Sequence, residues 1–253
     1  MIKYLYFFLY ITFVHCWRFF PLIRRRNKIV PKKYITIMPG GIRGFYMLGI
    51  CKYLQEQHEL SNYHFLGASA GAWGSLICCY NNNIDDIISD YFESDYLKVN
   101  ITSPNDLQYS FRAYLLDNYN TDDFDLKRLN IGLCILEHMS LETKIINHFN
   151  SLERAIDCCI VSSHIPYITS KGFIRRFDNK IAFDGGLSSD FPPRYIANYY
   201  IISPYLYDND NNTRFFMDLI KYKQSLENIK DLYRLGYENA KNNDKLIQTI
   251  FER

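Results

Sequence analysis

The first 55 residues contain no Asp or Glu, although they carry ten Lys and Arg. The rest of the chain holds 19 bases and 27 acids, so the formal net charge of +2 joins a basic head to an acidic body. A nucleic-acid binder wants a basic face on its folded domain, and this distribution argues against one. No C-x-x-C occurs among the seven cysteines (16, 51, 78, 79, 134, 158 and 159), which argues against a zinc site of the usual spacing. Their number is odd, two pairs are vicinal and all lie in apolar stretches, so buried free thiols in a reducing compartment are expected. There is no G-x-x-x-x-G-K-[ST] phosphate loop, no internal repeat and no composition shift marking an internal linker. Hydrophobic content of 48% over 253 residues excludes a wholly disordered chain and a polytopic membrane protein.

What is present begins with an aromatic run. Residues 4–14 are apolar or aromatic apart from Thr12, and Arg24-Arg25-Arg26 close the segment. No small-residue cleavage site follows, so an uncleaved membrane anchor is expected rather than a signal peptide. Residues 4–23 reach spanning length only by including Arg18 and Pro21. The basic flank, extended by Lys28, Lys32 and Lys33, favours the cytosolic side. The rival reading is a core-packing segment; eleven residues without an amphipathic period speak against it. The expected organisation is an anchor over residues 1–30 and a single domain over 31–253.

Within that domain, Tyr34–Met38 and Tyr63–Leu66 read as short buried strands, and Phe45–Gln57 and Ala72–Tyr80 as helices. Helical stretches are expected near 84–92 and 104–118, strands at 131–136 and 143–149, and a Ser151-capped helix to about Ser162. Phe173–Phe177 and Lys180–Phe183 read as a hairpin turning at Asp178-Asn179. Residues 213–251 read as one or two helices. Strand and helix alternate, which predicts an α/β fold with a mainly parallel sheet.

Gly67-Ala68-Ser69-Ala70-Gly71 matches G-x-S-x-G between a predicted strand and a predicted helix, the setting of a nucleophile elbow. There the Ser69 hydroxyl is presented at a helix start, with the Ala70 N–H aimed at a developing oxyanion. The bland alternative is a tight packing turn that only needs small residues. Gly40-Gly41-Ile42-Arg43-Gly44 lies in the preceding strand–helix unit, and its backbone N–H groups suit an anion. A nucleotide phosphate is one occupant; the second half of an oxyanion hole is the favoured one, because an elbow follows.

A serine nucleophile needs a base. No histidine lies beyond position 164, so the order Ser, acid, His cannot use Asp184 as its acid. A triad would draw on Asp122 or Asp123 with His138, His148 or His164. The rival base is Asp184 itself, followed by Gly185-Gly186 and therefore uncrowded. It would need burial to become basic enough. Its bland alternative is a turn-capping aspartate.

Taken together these residues resemble the patatin-like phospholipase family, whose motifs are a glycine-rich oxyanion loop, G-x-S-x-G and D-G-[GA]. All three stand here in order, at Gly40–Gly44, Gly67–Gly71 and Asp184-Gly185-Gly186. His148–Ser151, Ser162–Pro166 and Asp190-Phe191-Pro192 are similar to segments of the animal triglyceride-lipase and adiponutrin branch. Pro39 departs from the family, where many members have glycine. The resemblance spans about residues 34–204. It implies a three-layer α/β/α sandwich, with Ser69 as nucleophile and Asp184 as base. It further implies the Gly40–Gly44 loop as oxyanion donor, with Arg43 holding the loop, and no metal or cofactor. The implied substrate is a lipid ester at a membrane or lipid-droplet surface, with no nucleic acid involved.

Overall fold

The computed structural model describes residues 32–98, 101–170, 172–196, 198–207 and 228–252. The expected anchor over residues 1–30 lies outside the described residues, and so does part of the 213–251 helical stretch. Among the described residues no helix is long and apolar enough to cross a membrane.

Strand β1 (Lys33–Ile37) leads through the glycine loop into helix α1 (Gly44–Gln57), and strand β2 (Tyr63–Gly67) leads through the elbow into α2 (Ala70–Ile77). Three helices follow: α3 (Ile84–Glu93), the single turn α4 (Asp95–Lys98) and α5 (Pro104–Asn118). Their starts are set locally. The Asn83 side chain accepts the Asp85 N–H, the Ser103 side chain accepts the Asp106 N–H, and Pro104 occupies the first turn of α5. Strands β3 (Leu129–Glu137) and β4 (Ser140–Ile146) form a hairpin, and α6 (Leu152–Ser162) begins at the Ser151 cap. Strands β5 (Arg175–Phe177) and β6 (Lys180–Phe183) form a second hairpin, before β7 (Asn198–Ile202), α7 (Ile229–Asn242) and α8 (Asp244–Phe251).

The seven strands form one sheet in the order β5-β6-β3-β2-β1-β7, with β4 on β3. The β1–β2, β1–β7 and β2–β3 pairs are parallel; the β3–β4, β3–β6 and β5–β6 pairs are antiparallel. The sheet is therefore mixed, not mainly parallel as the alternating sequence pattern predicts. The cause is local. His138-Met139 and Asp178-Asn179 take positive φ and turn the chain straight back, where a parallel sheet needs crossover helices.

This change of direction builds the site. Ile131 of β3 pairs with Gly67 of β2 and with Ile146 of β4. Three residues on, Cys134 pairs with Phe183 of β6 and Thr143 of β4. Strands β2 and β6 thus share one edge of β3, end to end. One runs parallel to β3 and the other antiparallel, so both carboxyl ends point into the gap between them, at Gly132.

Ile35, Ile37, Phe65, Ile131 and Leu133 line one face of the sheet and share a core with residues of the longer helices, among them Leu54, Leu76, Ile87, Leu115, Ile156 and Tyr233. On the opposite face Leu66 and Ala68 pack with Phe191, and Tyr34, Met38 and Ile196 pack against them. Of the expected three layers, the described residues supply the sheet and one helical layer; the cover they give the second face is the loop that carries Phe191 and Ile196. All six described cysteines are free and buried.

Candidate active site

Ser69 stands in the gap with φ 55 and ψ −128, a conformation that costs a non-glycine residue about 1–3 kcal/mol. Surrounding contacts hold it there. Its N–H donates to Ser162 Oγ at 2.9 Å, and the Ser162 hydroxyl donates to the Gly132 carbonyl at 2.7 Å. The end of α6 is thus pinned through one buried hydroxyl to both the elbow and β3. Gly71 lies so close to β1 that a Cβ would collide with the Ile37 carbonyl, which explains why the elbow has no room for a larger residue.

Asp184 follows β6 and is 3% exposed. Its backbone N–H donates to the His164 carbonyl at 2.8 Å. Its Oδ1 accepts the Gly186 N–H at 2.7 Å, capping the 3-10 turn over Gly185–Leu187. Its Oδ2 is buried without a hydrogen-bond partner. The Ser69 hydroxyl lies close enough to act on the carboxyl without forming a well-aligned bond to that oxygen. Burial pushes the Asp184 pKa up to about 6, against the smaller opposing pull of the Ser69 hydroxyl and the Gly186 N–H. A Cβ on Gly185 would strike the Gly132 carbonyl, so glycine is required for the carboxylate to approach β3 this closely.

The glycine loop closes the third side. Gly41 has φ 54 and opens a 3-10 turn, Gly41–Arg43, that continues into α1. The Gly41 and Ile42 N–H groups at that turn, and the Ala70 N–H at the start of α2, are helix-start donors with no acceptor inside their own helices. Gly44 packs on the Ala70 side chain, and Gly186 packs on Pro39, so loop, elbow and D-G-G turn touch one another. Arg43 is buried. Its Nε donates to the Pro204 carbonyl at 2.6 Å, and its guanidinium lies 4.8 Å from the Tyr46 ring and 4.5 Å from the Tyr205 ring. It fastens the loop to the segment after β7.

The histidines fall elsewhere. His164 is buried, with Nε2 3.2 Å from the Phe173 carbonyl and Nδ1 2.8 Å from Ser170 Oγ. A carbonyl only accepts, so Nε2 carries the proton and both ring nitrogens are engaged. Burial lowers the His164 pKa, and the ring is neutral at pH 7. His138 and His148 are exposed. The carbonyls of Asp122 and Asp123 bind Asn81, beyond the far end of α2 and about 12 Å or more from Ser69. The structure brings none of the triad candidates to Ser69. Among the described residues no three His, Cys, Asp or Glu side chains are grouped to hold a metal ion.

Sequence reasoning missed Ser162, Gly132 and the Pro204–Tyr205 clamp. A serine closing the buried apolar run Cys158–Val161 is the one signal that marks Ser162; the other two depend on pairings across the fold.

No family model matches the chain. Over 216 residues, 80% of this chain, it is 25% identical to patatin-like phospholipase domain-containing protein 2 of Bos taurus, covering 44% of that protein. It is also 25% identical over 218 residues, 80% of this chain, to the Homo sapiens protein of the same name, covering 42% of it. The chain thus spans less than half the length of these curated relatives. Over most of its length, and with the three motifs folded against one another, the chain is thus similar to patatin-like phospholipase domain-containing proteins.

Proposed function

We propose that the protein is a serine-dependent hydrolase of lipid carboxylic esters, acting on phospholipids or acylglycerols through Ser69 and Asp184. The observation that carries this reading is the buried, unpartnered Oδ2 of Asp184 beside the Ser69 hydroxyl, on a carboxyl whose pKa burial raises to about 6. Such a carboxylate is ionised at neutral pH and more basic than an ordinary aspartate, which suits a general base.

In the proposed cycle Ser69 Oγ attacks the ester carbonyl carbon while its proton passes to Asp184 Oδ2. The carbonyl oxygen becomes an oxyanion held by N–H groups of the Gly40–Gly44 loop and of Ala70. The C–O bond to the alcohol then breaks, and the alcohol leaves with the proton from Asp184. Water attacks the acyl-enzyme and gives one proton to Asp184; the Ser69 oxygen leaves and takes that proton back. The free acid is released and both side chains return to their starting state. Gly67, Gly71, Gly185 and Gly186 give these groups the space to meet. The segment 1–30 is proposed as the membrane anchor, with the domain on the cytosolic side.

The test is a panel of phospholipids, lysophospholipids and neutral glycerides given to purified protein, with Ser69→Ala as blank. Release of fatty acid by the wild type and not by the variant is expected. Equal release by both, or none by either, overturns the reading.

A further inference from the structure

The loop that supports Asp184 is built inside out. Its polar groups face inward: the Thr169 hydroxyl donates to the Ser163 carbonyl at 2.5 Å, Thr169 Oγ1 accepts the Ile165 N–H at 2.7 Å, and Ser170 bonds the buried His164 ring. Its large apolar side chains face outward. Tyr167 is 66% exposed, Phe173 56% and Ile174 53%. Tyr167 takes φ 62, and its ring centroid lies 6.0 Å from that of Phe173. Isolated exposed apolar residues are ordinary; three large ones on one short, internally bonded loop are a patch.

The patch adjoins the site. The Phe183 ring, one residue before Asp184, stacks with His164 at 5.9 Å and meets Phe173 at 6.5 Å. Arg175 and Arg176 follow directly on edge strand β5. Arg175 Nη1 donates to the Tyr109 hydroxyl and Arg176 Nη1 to the Asn179 carbonyl, and among the described residues neither forms an ion pair. The neighbouring Arg154 does, with Asp178 at 2.8 Å. The combination is aromatic and aliphatic tips beside two arginines that have no carboxylate partner among the described residues.

We propose that Tyr167, Phe173, Ile174, Arg175 and Arg176 form a docking surface that seats the folded domain on an anionic lipid–water interface, independently of residues 1–30. The apolar tips enter the headgroup boundary, the arginines meet lipid phosphates, and the Ser69–Asp184 gap is held at the surface. Aromatic side chains are suited to that depth, and desolvated arginine pairs readily with phosphate. The proposal rests on the lipid-ester reading for its purpose, but the surface is tested without it.

The experiment uses the full chain and vesicles of phosphatidylcholine, alone or with about one third phosphatidylglycerol. Tyr167→Ser/Ile174→Ser should lower vesicle affinity at least about tenfold, with hydrolysis of a water-soluble short-chain ester within about twofold of wild type. Arg175→Ala/Arg176→Ala should reduce the gain from phosphatidylglycerol at least about threefold, the remainder belonging to the basic flank of residues 24–33, and leave binding to phosphatidylcholine alone unchanged. A reporter covers the case in which the double serine variant misfolds. In a Trp17→Phe background, Tyr167→Trp should be quenched by bromolipid on vesicle binding, above the signal of the buried Trp73 in the Trp17→Phe parent. Undiminished affinity in the folded serine variant, or an unquenched reporter on bound protein, overturns the docking surface. An unquenched reporter with self-association of the chain also overturns it and makes the patch a protein interface. A quenched reporter on a chain that hydrolyses no lipid ester leaves the surface standing and removes only the hydrolase reading.

Discussion

Asp85 loses part of its water and Asp184 almost all of it when the chain folds, each in different company. Asp85, at the start of α3, accepts from Lys52 Nζ at 2.7 Å, from the Tyr233 hydroxyl at 2.9 Å and from Ser89 Oγ at 3.1 Å. It ties α1, α3 and α7 into one layer. Burial alone would raise its pKa, but Lys52, Tyr233 and Ser89 together bring it below the ordinary carboxylate value. Asp184 has only the Gly186 N–H on one oxygen and the weaker pull of the nearby Ser69 hydroxyl, and burial dominates. The same side chain is a structural tie where its lone pairs are used and a candidate base where one is left open. The helical layer satisfies its charges; the gap between β2 and β6 holds strain at Ser69 and an unmet carboxylate, the pattern expected of a functional site.

The comparison can be broken at four points. Removing either member of the pair, by Ser69→Ala or Asp184→Asn, is expected to lower kcat/KM on a soluble ester by about a thousandfold or more. Initial rates on purified folded protein check it, and near-wild-type rates in either variant would reduce Asp184 to a turn cap. Asp184→Asn should at the same time stabilise the fold. The folded pKa lies above the ordinary value, so wild-type stability is full below about pH 4 and is lost as pH rises through about 6. The variant should therefore gain about 3 kcal/mol in denaturant unfolding at pH 8 and little at pH 4.

Asp85→Asn is expected to act in the opposite sense. Its folded pKa is depressed, so its contribution is present above the ordinary carboxylate pKa and fades as pH falls through the lowered value. The substitution should cost about 2 kcal/mol at pH 7, read by the same unfolding assay, with kcat/KM of the folded fraction unchanged. Ser162→Ala should have the smallest effect. It frees the Ser69 N–H and the Gly132 carbonyl, and about a tenfold fall in kcat with about 1 kcal/mol of stability is expected, with KM little changed.

Much of this molecule is legible in the sequence because the determinants are local. Ser103 and Pro104 mark the start of α5, Ser151 marks α6, and Asp178-Asn179 mark a hairpin turn, each by its own side-chain chemistry. The elbow and the D-G-G turn are legible for the same reason: close backbone packing at Gly71 and Gly185 admits only glycine. What is not legible is set by pairing at long range. Strand β7 sits in an apolar and aromatic stretch, Tyr195 to Tyr207, with no alternating pattern that marks out its five residues. Nothing local says that β6 will meet β2 end to end on β3, that Ser162 will reach back to Ser69, or that Pro204 will hold Arg43. The mixed sheet escapes for the same reason, since two hairpin turns decide it and the alternating pattern upstream does not.

The claim on which the rest depends is that Asp184 is the base for Ser69, and the pH dependence of kcat/KM on a soluble ester tests it most directly. A single rise with pH, with its midpoint near 6 and a plateau above about 7, is expected, and Asp184→Asn should abolish it. A midpoint at the ordinary aspartate value near 4, or the same profile surviving in Asp184→Asn, would contradict it.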